Sequence, residues 1–187
     1  MDAEARFRAL FEVAYPALGR YAHHRGLNTS DAADLVAAAL EVAWRRLDDI
    51  PAGDPLPWLY AVAHNLWRNQ VRSSSRREAL IARVPVGQPQ PAPEPAMLDA
   101  AALRRALALL DEADQEILRL VAWDGLTPSQ AAVVLGCKPS AARARLHRAR
   151  NRLALHLGMD PRLQRQSLAV HIWDVGNGHG IETEVPE

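Results

Sequence analysis

The stretch from Arg83 to Met97, RVPVGQPQPAPEPAM, carries five of the chain's thirteen prolines and no aromatic side chain. Proline fixes φ and lacks a backbone donor, so this stretch can extend neither a helix nor an inner strand, and it offers little to bury. An extended connector between two separately folded domains is the consequence. We place the domains at residues 1–78 and 98–157, the connector at 79–97 and a C-terminal extension at 158–187. With 187 residues, 49% of them hydrophobic, the chain has enough apolar surface to give each side a core.

Both sides read as helical. Before the connector, alanine, leucine and tryptophan recur at helical spacing, while RGLNTSD and DDIPAGDPLP mark breaks, which predicts three or four helices. Within TSDAADLVAAALEVAWRRLDD, Val36, Leu40, Ala43, Trp44 and Leu47 share one stripe and are expected in the core, as is Trp58. After the connector, helices are expected from Met97 to Leu110 and from Ala113 to Trp123, the second ended by Gly125. Thr127, Pro128 and Gln130 form the Thr-x-x-Gln capping pattern with proline at the first helical position, so a short helix should run from Pro128 to Leu135 and stop at Gly136. A long final helix follows. No period-two alternation occurs before LAVHIWDV near the C-terminus, so the fold class is all-α: two small helical domains, a proline-rich linker and a short extension.

That final helix concentrates charge in a chain of formal net charge zero. Ala142, Leu146, Ala149, Leu153 and Leu157 line one apolar stripe at about 100° per residue. Arg143, His147 and Arg150 run along one edge of it, and Arg145, Arg148 and Arg152 along the other, with Ser140, Ala144 and Asn151 between them on the open face. No acidic residue appears from Lys138 to Met159, whereas a merely solvated face mixes both signs. With the short helix before it, Ala132 for close packing and a turn at Gly136 and Cys137, the segment reads as a helix-turn-helix whose anion is duplex DNA. Small residues at the helix start let it approach the major groove while arginines hold phosphates.

The segment LLDEADQEILRLVAWDGLTPSQAAVVLGCKPSAARARLHRARNRL resembles the fourth conserved region of bacterial sigma factors of the extracytoplasmic-function group, in the sigma-70 family. ADLVAAALEVAWRRLDD followed by PWLYAVAHNLWRNQVRSSSRR resembles the group's second region, and the likeness covers about Phe7 to Leu157. It implies an RNA polymerase initiation factor, with core polymerase and promoter DNA as partners and an anti-sigma factor as a further one. Carried over by position, the minus-thirty-five element would meet Lys138, Ser140, Ala141, Arg143, Ala144, Arg145, Arg148 and Arg152. The minus-ten element would meet Asp54, in the Asp48 to Pro57 loop expected to pocket a flipped base, and Trp58, His64, Asn65, Trp67, Arg68, Arg72 and Arg76. The polymerase clamp would meet Asp34, Ala37, Ala38, Glu41 and Arg45. Family members usually carry Gln-Glu where this chain has Ala37 and Ala38, commonly basic residues at Ala61 and His64, often an aspartate at Asn69, and a serine cap where this chain has Lys138, so Ser140 is expected to cap the last helix instead.

The alternative function is a helix-turn-helix regulator that acts without polymerase; the second-region signature distinguishes the two. No catalytic role, cofactor or metal is assigned: Cys137 is the single cysteine, and His23 and His24 lie beside no acidic or cysteine cluster at ligand spacing. His171, Asp174, His179 and Glu182 in the extension form a set that Gly-rich polar segments often produce. No apolar run reaches the ~20 residues of a membrane span, and MDAEARFRALFEVAYPALGRYAHHRG lacks the charge and apolar order of an export signal. A cytoplasmic protein without membrane insertion is expected.

Overall fold

The computed structural model describes residues 2–81 and 100–158, with side chains described over 2–71 and 101–158. Expectations for the connector, for LAVHIWDV, for the histidine and acid set of the extension, and for the side chains of Arg72, Arg76 and Arg77 lie outside the described residues. Among the described residues the chain forms α1 (Ala3–His23), α2 (Thr29–Arg45), a 3-10 turn (Leu47–Asp49), α3 (Leu56–Ile81), α4 (Ala100–Ala108), α5 (Glu112–Ala122), α6 (Pro128–Val134) and α7 (Pro139–His156), and no strand. The fold is all-helical, as the periodicity predicts.

The described helices group into two compact units: α1, α2, α3, α6 and the start of α7, and α4, α5 and the rest of α7. In the first, α1, α2 and α3 pack on one another and α6 packs on α3. Ala14, Ala17, Ala22, Ala39, Ala43 and Ala63 are all buried there. Side chains this small set the distance between facing helices and allow the axes to approach closely. Tyr21, Leu18 and Leu59 fill the remaining space, with Tyr21 stacked on Tyr60 at 5.4 Å between ring centroids. In the second unit Leu103, Leu107, Ile117, Leu118, Leu120, Leu146 and Leu153 are buried.

Local chemistry sets the helix ends. Asn28 caps α2 by accepting from the backbone N–H of Asp31 at 2.9 Å, and Asp111 caps α5 by accepting from that of Asp114 at 2.8 Å. At α6 both halves of the capping box are formed, and the helix ends on Gly136 at φ +60°. Cys137 N–H donates to the Ala132 carbonyl at 3.0 Å and Gly136 N–H to that of Val133 at 3.2 Å, the paired bonds of a Schellman turn. A Cβ at Gly136 would meet nothing within 4 Å, so its substitution isolates the backbone cost. Gly136→Ala should therefore lower stability by roughly 1–2 kcal/mol in urea denaturation, with Gly136→Asn recovering part of the loss.

Candidate nucleic-acid interface

Pro139 opens α7, and the N–H of Ala142 donates to the Lys138 carbonyl at 3.1 Å. Lys138 thus holds the cap position, and Ser140 lies inside the first turn rather than capping it, because proline at the first helical position fixes the start one residue earlier. Ala142, Leu146, Ala149 and Leu153 are buried along the predicted stripe, while Leu157 is half-buried beyond the helix end. Lys138, Ser140, Ala141, Arg143, Ala144, Arg148 and Arg150 are exposed, and Arg145 is half-buried. No described carboxylate pairs with Arg143, Arg145, Arg148 or Arg150. Partial desolvation lowers the pKa of Arg150 from its ordinary value, but a guanidinium remains a cation.

Arg152 differs from the others. Its Nη1 donates to Asp114 at 2.5 Å and to Asp111 at 3.2 Å, so its charge is balanced by α5. Asp111 uses one oxygen to cap α5 and the other to receive Arg152. Arg152 therefore braces α7 against α5, a role that the spacing along α7 does not reveal.

A second surface is built where the loop after the 3-10 turn enters α3. Asp54 is exposed in that loop, and Asn65 is exposed further along α3. Trp58 is half-buried with the Arg46 guanidinium carbon 5.6 Å from its ring centroid, and Arg68 is half-buried. His64 departs from its expected place at DNA. Only 5% exposed, it sits with Nδ1 3.3 Å from the Tyr21 hydroxyl, because α3 turns this side toward α1. Trp67 is half-buried rather than free: its ring lies 6.0 Å from that of His64 and 5.9 Å from the guanidinium carbon of Arg25, which also stands 3.3 Å over Tyr21. The arrangement holds Trp67 by its inner edge and leaves part of the ring to solvent.

On α2, Asp34, Ala37, Glu41 and Arg45 are exposed and Ala38 is half-buried, so the expected polymerase-facing set shares one accessible side. Glu41 accepts from Arg45 at 2.6 Å along the helix. Trp44, expected in the core, is 49% exposed, because α1 meets it with Phe7 in a T-shaped contact, at 5.0 Å and 77°, instead of covering it. Phe11 and Tyr15 stack at 5.3 Å, are 39% and 55% exposed, and with Phe7, Ala37 and Trp44 line an open groove between α1 and α2. None of these α1 aromatics belongs to the family signatures, so the resemblance does not point to them. Their spacing at residues 7, 11 and 15 on one helix face was the available signal.

Among the described residues no group of three or more His, Cys, Asp or Glu side chains is placed to hold a metal ion. Comparison with known proteins finds the model of sigma-70 region 2 matching residues 10–77 and that of sigma-70 region 4 matching residues 100–153. The chain is 31% identical over 153 residues to the ECF RNA polymerase sigma factor EcfG of Rhodopseudomonas palustris, covering 79% of this chain and 83% of that protein. It is 30% identical over 157 residues to the RNA polymerase sigma factor CnrH of Cupriavidus metallidurans, covering 77% and 82%. Among solved structures, the sigma factor RpoE of Bartonella quintana, crystallised with the anti-sigma factor NepR, matches with a TM-score of 0.63 at 27% identity, over 82% of this chain and 98% of that one. CnrH in complex with the cytosolic domain of CnrY matches with a TM-score of 0.57 at 26% identity, over 81% and 87%.

Proposed function

The chain belongs to the extracytoplasmic-function group of sigma-70 factors, and from that membership we propose how its own residues share the work of promoter recognition. It is an RNA polymerase sigma factor: it directs core polymerase to specific promoters and aids their opening. The observation that carries this function is the occurrence of regions 2 and 4, in order, on one chain. A regulator acting without polymerase has use for a helix-turn-helix but none for region 2.

In our reading residues 1–78 engage core polymerase and the minus-ten element, 98–157 engage the minus-thirty-five element, 79–97 connect them, and 158–187 form an extension. The exposed, acid-free face of α7 supports Lys138, Ser140, Ala141, Arg143, Ala144, Arg145 and Arg148 as the minus-thirty-five contacts. Arg143 is the arginine nearest the helix start and the one placed to reach a base edge. Asp54, Trp58, Asn65, Trp67 and Arg68, with Arg72 and Arg76 beyond them, serve the opened minus-ten strand, with His64 supporting Trp67 from inside. Asp34, Ala37, Ala38, Glu41 and Arg45 face the polymerase clamp, and the aromatic groove beside them adds apolar contact where the polar Gln-Glu pair is absent. An anti-sigma factor is a further partner, by analogy with the complexes of the two matched structures.

Sigma factors are transcription initiation factors, and we assign the chain no catalytic step of its own. It works in the cytoplasm, where core polymerase meets DNA; no helix among the described residues is long and apolar enough to cross a membrane. The test is transcription in vitro with purified core polymerase and a genomic promoter library. The chain should form a stable complex with core and start transcripts at a limited promoter set. Tight duplex binding by the chain alone, with neither core binding nor directed initiation, would return the regulator reading.

A further inference from the structure

Trp67 stands on α3, yet the contacts that hold its ring lead back to Tyr21 of α1. Tyr21 is fully buried and stacks on Tyr60, and its hydroxyl lies 3.3 Å from Nδ1 of His64, whose ring centroid is 6.0 Å from that of Trp67. The Arg25 guanidinium carbon stands 3.3 Å over the same Tyr21 ring and 5.9 Å from the centroid of Trp67. Tyr21 thus reaches Trp67 through His64 and again through Arg25.

Arg25 is itself well anchored. It lies in the turn that ends α1, where Gly26 N–H donates to the His23 carbonyl at 2.9 Å and Leu27 N–H to the Ala22 carbonyl at 3.3 Å, with Gly26 at φ +76°. Its Nη1 donates to the Tyr21 carbonyl at 2.8 Å. A guanidinium is flat and donates in its own plane, so it can lie on a ring while its edge makes a hydrogen bond. Satisfying the end of α1 accounts for the bond to the Tyr21 carbonyl, but not for the approach to an indole on another helix. A stacking platform gains most when its ring is in place before the base arrives, because ordering a loose side chain at that moment costs part of the stacking gain. We propose that Arg25 is a positioning residue for promoter opening: with its plane on Tyr21 and its charge beside Trp67, it fixes the indole in advance for the unpaired minus-ten strand. The proposal rests on the assignment of Trp67 to that strand, and the test separates the two.

Arg25→Met keeps an unbranched stem and removes plane and charge, whereas Arg25→Lys keeps the charge and loses the plane. Each is made alone and together with Trp67→Ala in the full-length chain, checked by urea denaturation and assembled with core polymerase. Closed-complex affinity and the rate of opening are measured separately, the second by 2-aminopurine fluorescence at the minus-ten element. Arg25→Met should slow opening about fivefold, with closed-complex affinity and its salt slope unchanged, and Arg25→Lys should recover part of the rate. Neither should slow opening further once Trp67→Ala is present. In the free chain, acrylamide quenching of Trp67, taken as the difference between chains with Trp67 and with Trp67→Phe, should rise in Arg25→Met. Equal slowing with and without Trp67 would overturn the proposal and make Arg25 a general brace of α1. A lowered salt slope would overturn it in favour of a phosphate contact. Unchanged quenching would overturn it while leaving Trp67 at the strand. Raised quenching in a chain whose opening ignores both Arg25→Met and Trp67→Ala would keep the contact, but would remove Trp67 from the strand and Arg25 from opening.

Discussion

Arg152→Ala should lower the stability of the chain by about 2–3 kcal/mol in urea denaturation. The Asp114 side chain is 5% exposed and pairs with Arg152 at 2.5 Å. Taking one partner from a buried pair leaves a charge without compensation and costs about 3–5 kcal/mol. Arg152 itself is half-exposed, at 50%, so water recovers part of that loss and the lower range applies. Removing both groups with an Asp114→Leu, Arg152→Met pair should cost less than Arg152→Ala alone, because no buried carboxylate is stranded. The same substitution should scarcely alter the salt dependence of promoter binding. Unchanged stability with a clear fall in salt dependence would move Arg152 from the brace to the DNA.

Joint replacement of Arg143, Arg145 and Arg148 by glutamine should act in the opposite sense, sparing stability and removing binding. These three lie on α7 with no described carboxylate to balance them, and glutamine keeps the stem of the half-buried Arg145 against the surface. Each phosphate neutralised contributes about 0.9 to the slope of log K against log salt, so loss of the Arg145 and Arg148 contacts should lower the slope for holoenzyme on promoter duplex by about two units, while loss of Arg143 from its base edge lowers affinity without adding to the slope. Referred to 1 M salt, two such contacts correspond to about a thirtyfold loss of affinity at 0.15 M. Filter binding or fluorescence anisotropy across a salt series, with denaturation curves beside it, measures both quantities. An unchanged slope would place the phosphate contacts elsewhere on the chain.

The contrast between these arginines marks what sequence could and could not supply. The capping box at Thr127 and Gln130, the stop at Gly136 and the buried stripe of α7 are local: each is decided by residues within one or two turns, so spacing suffices. Arg152 and Arg148 look alike on a helical wheel, and only the carboxylates of α5, about forty positions earlier, separate them. Trp44 occupies a core register on α2, but its exposure depends on how α1 lies across it, and α1 sets Phe7 roughly perpendicular to its ring. His64 fits a DNA-facing register on α3 until Tyr21 of α1 is seen against it. The bond from Gln130 to Asp54 joins residues 76 positions apart, a separation that no periodicity bridges.

The capping box has a consequence on another timescale. Glutamine and glutamate serve its third position equally well for the helix, and their codons differ by a single base at the first position. A lineage carrying Gln130 is therefore one nucleotide substitution from a chain with the same α6 and no donor toward Asp54. The residue that starts the helix can thus lose its long-range contact through one base change while the helix keeps its start.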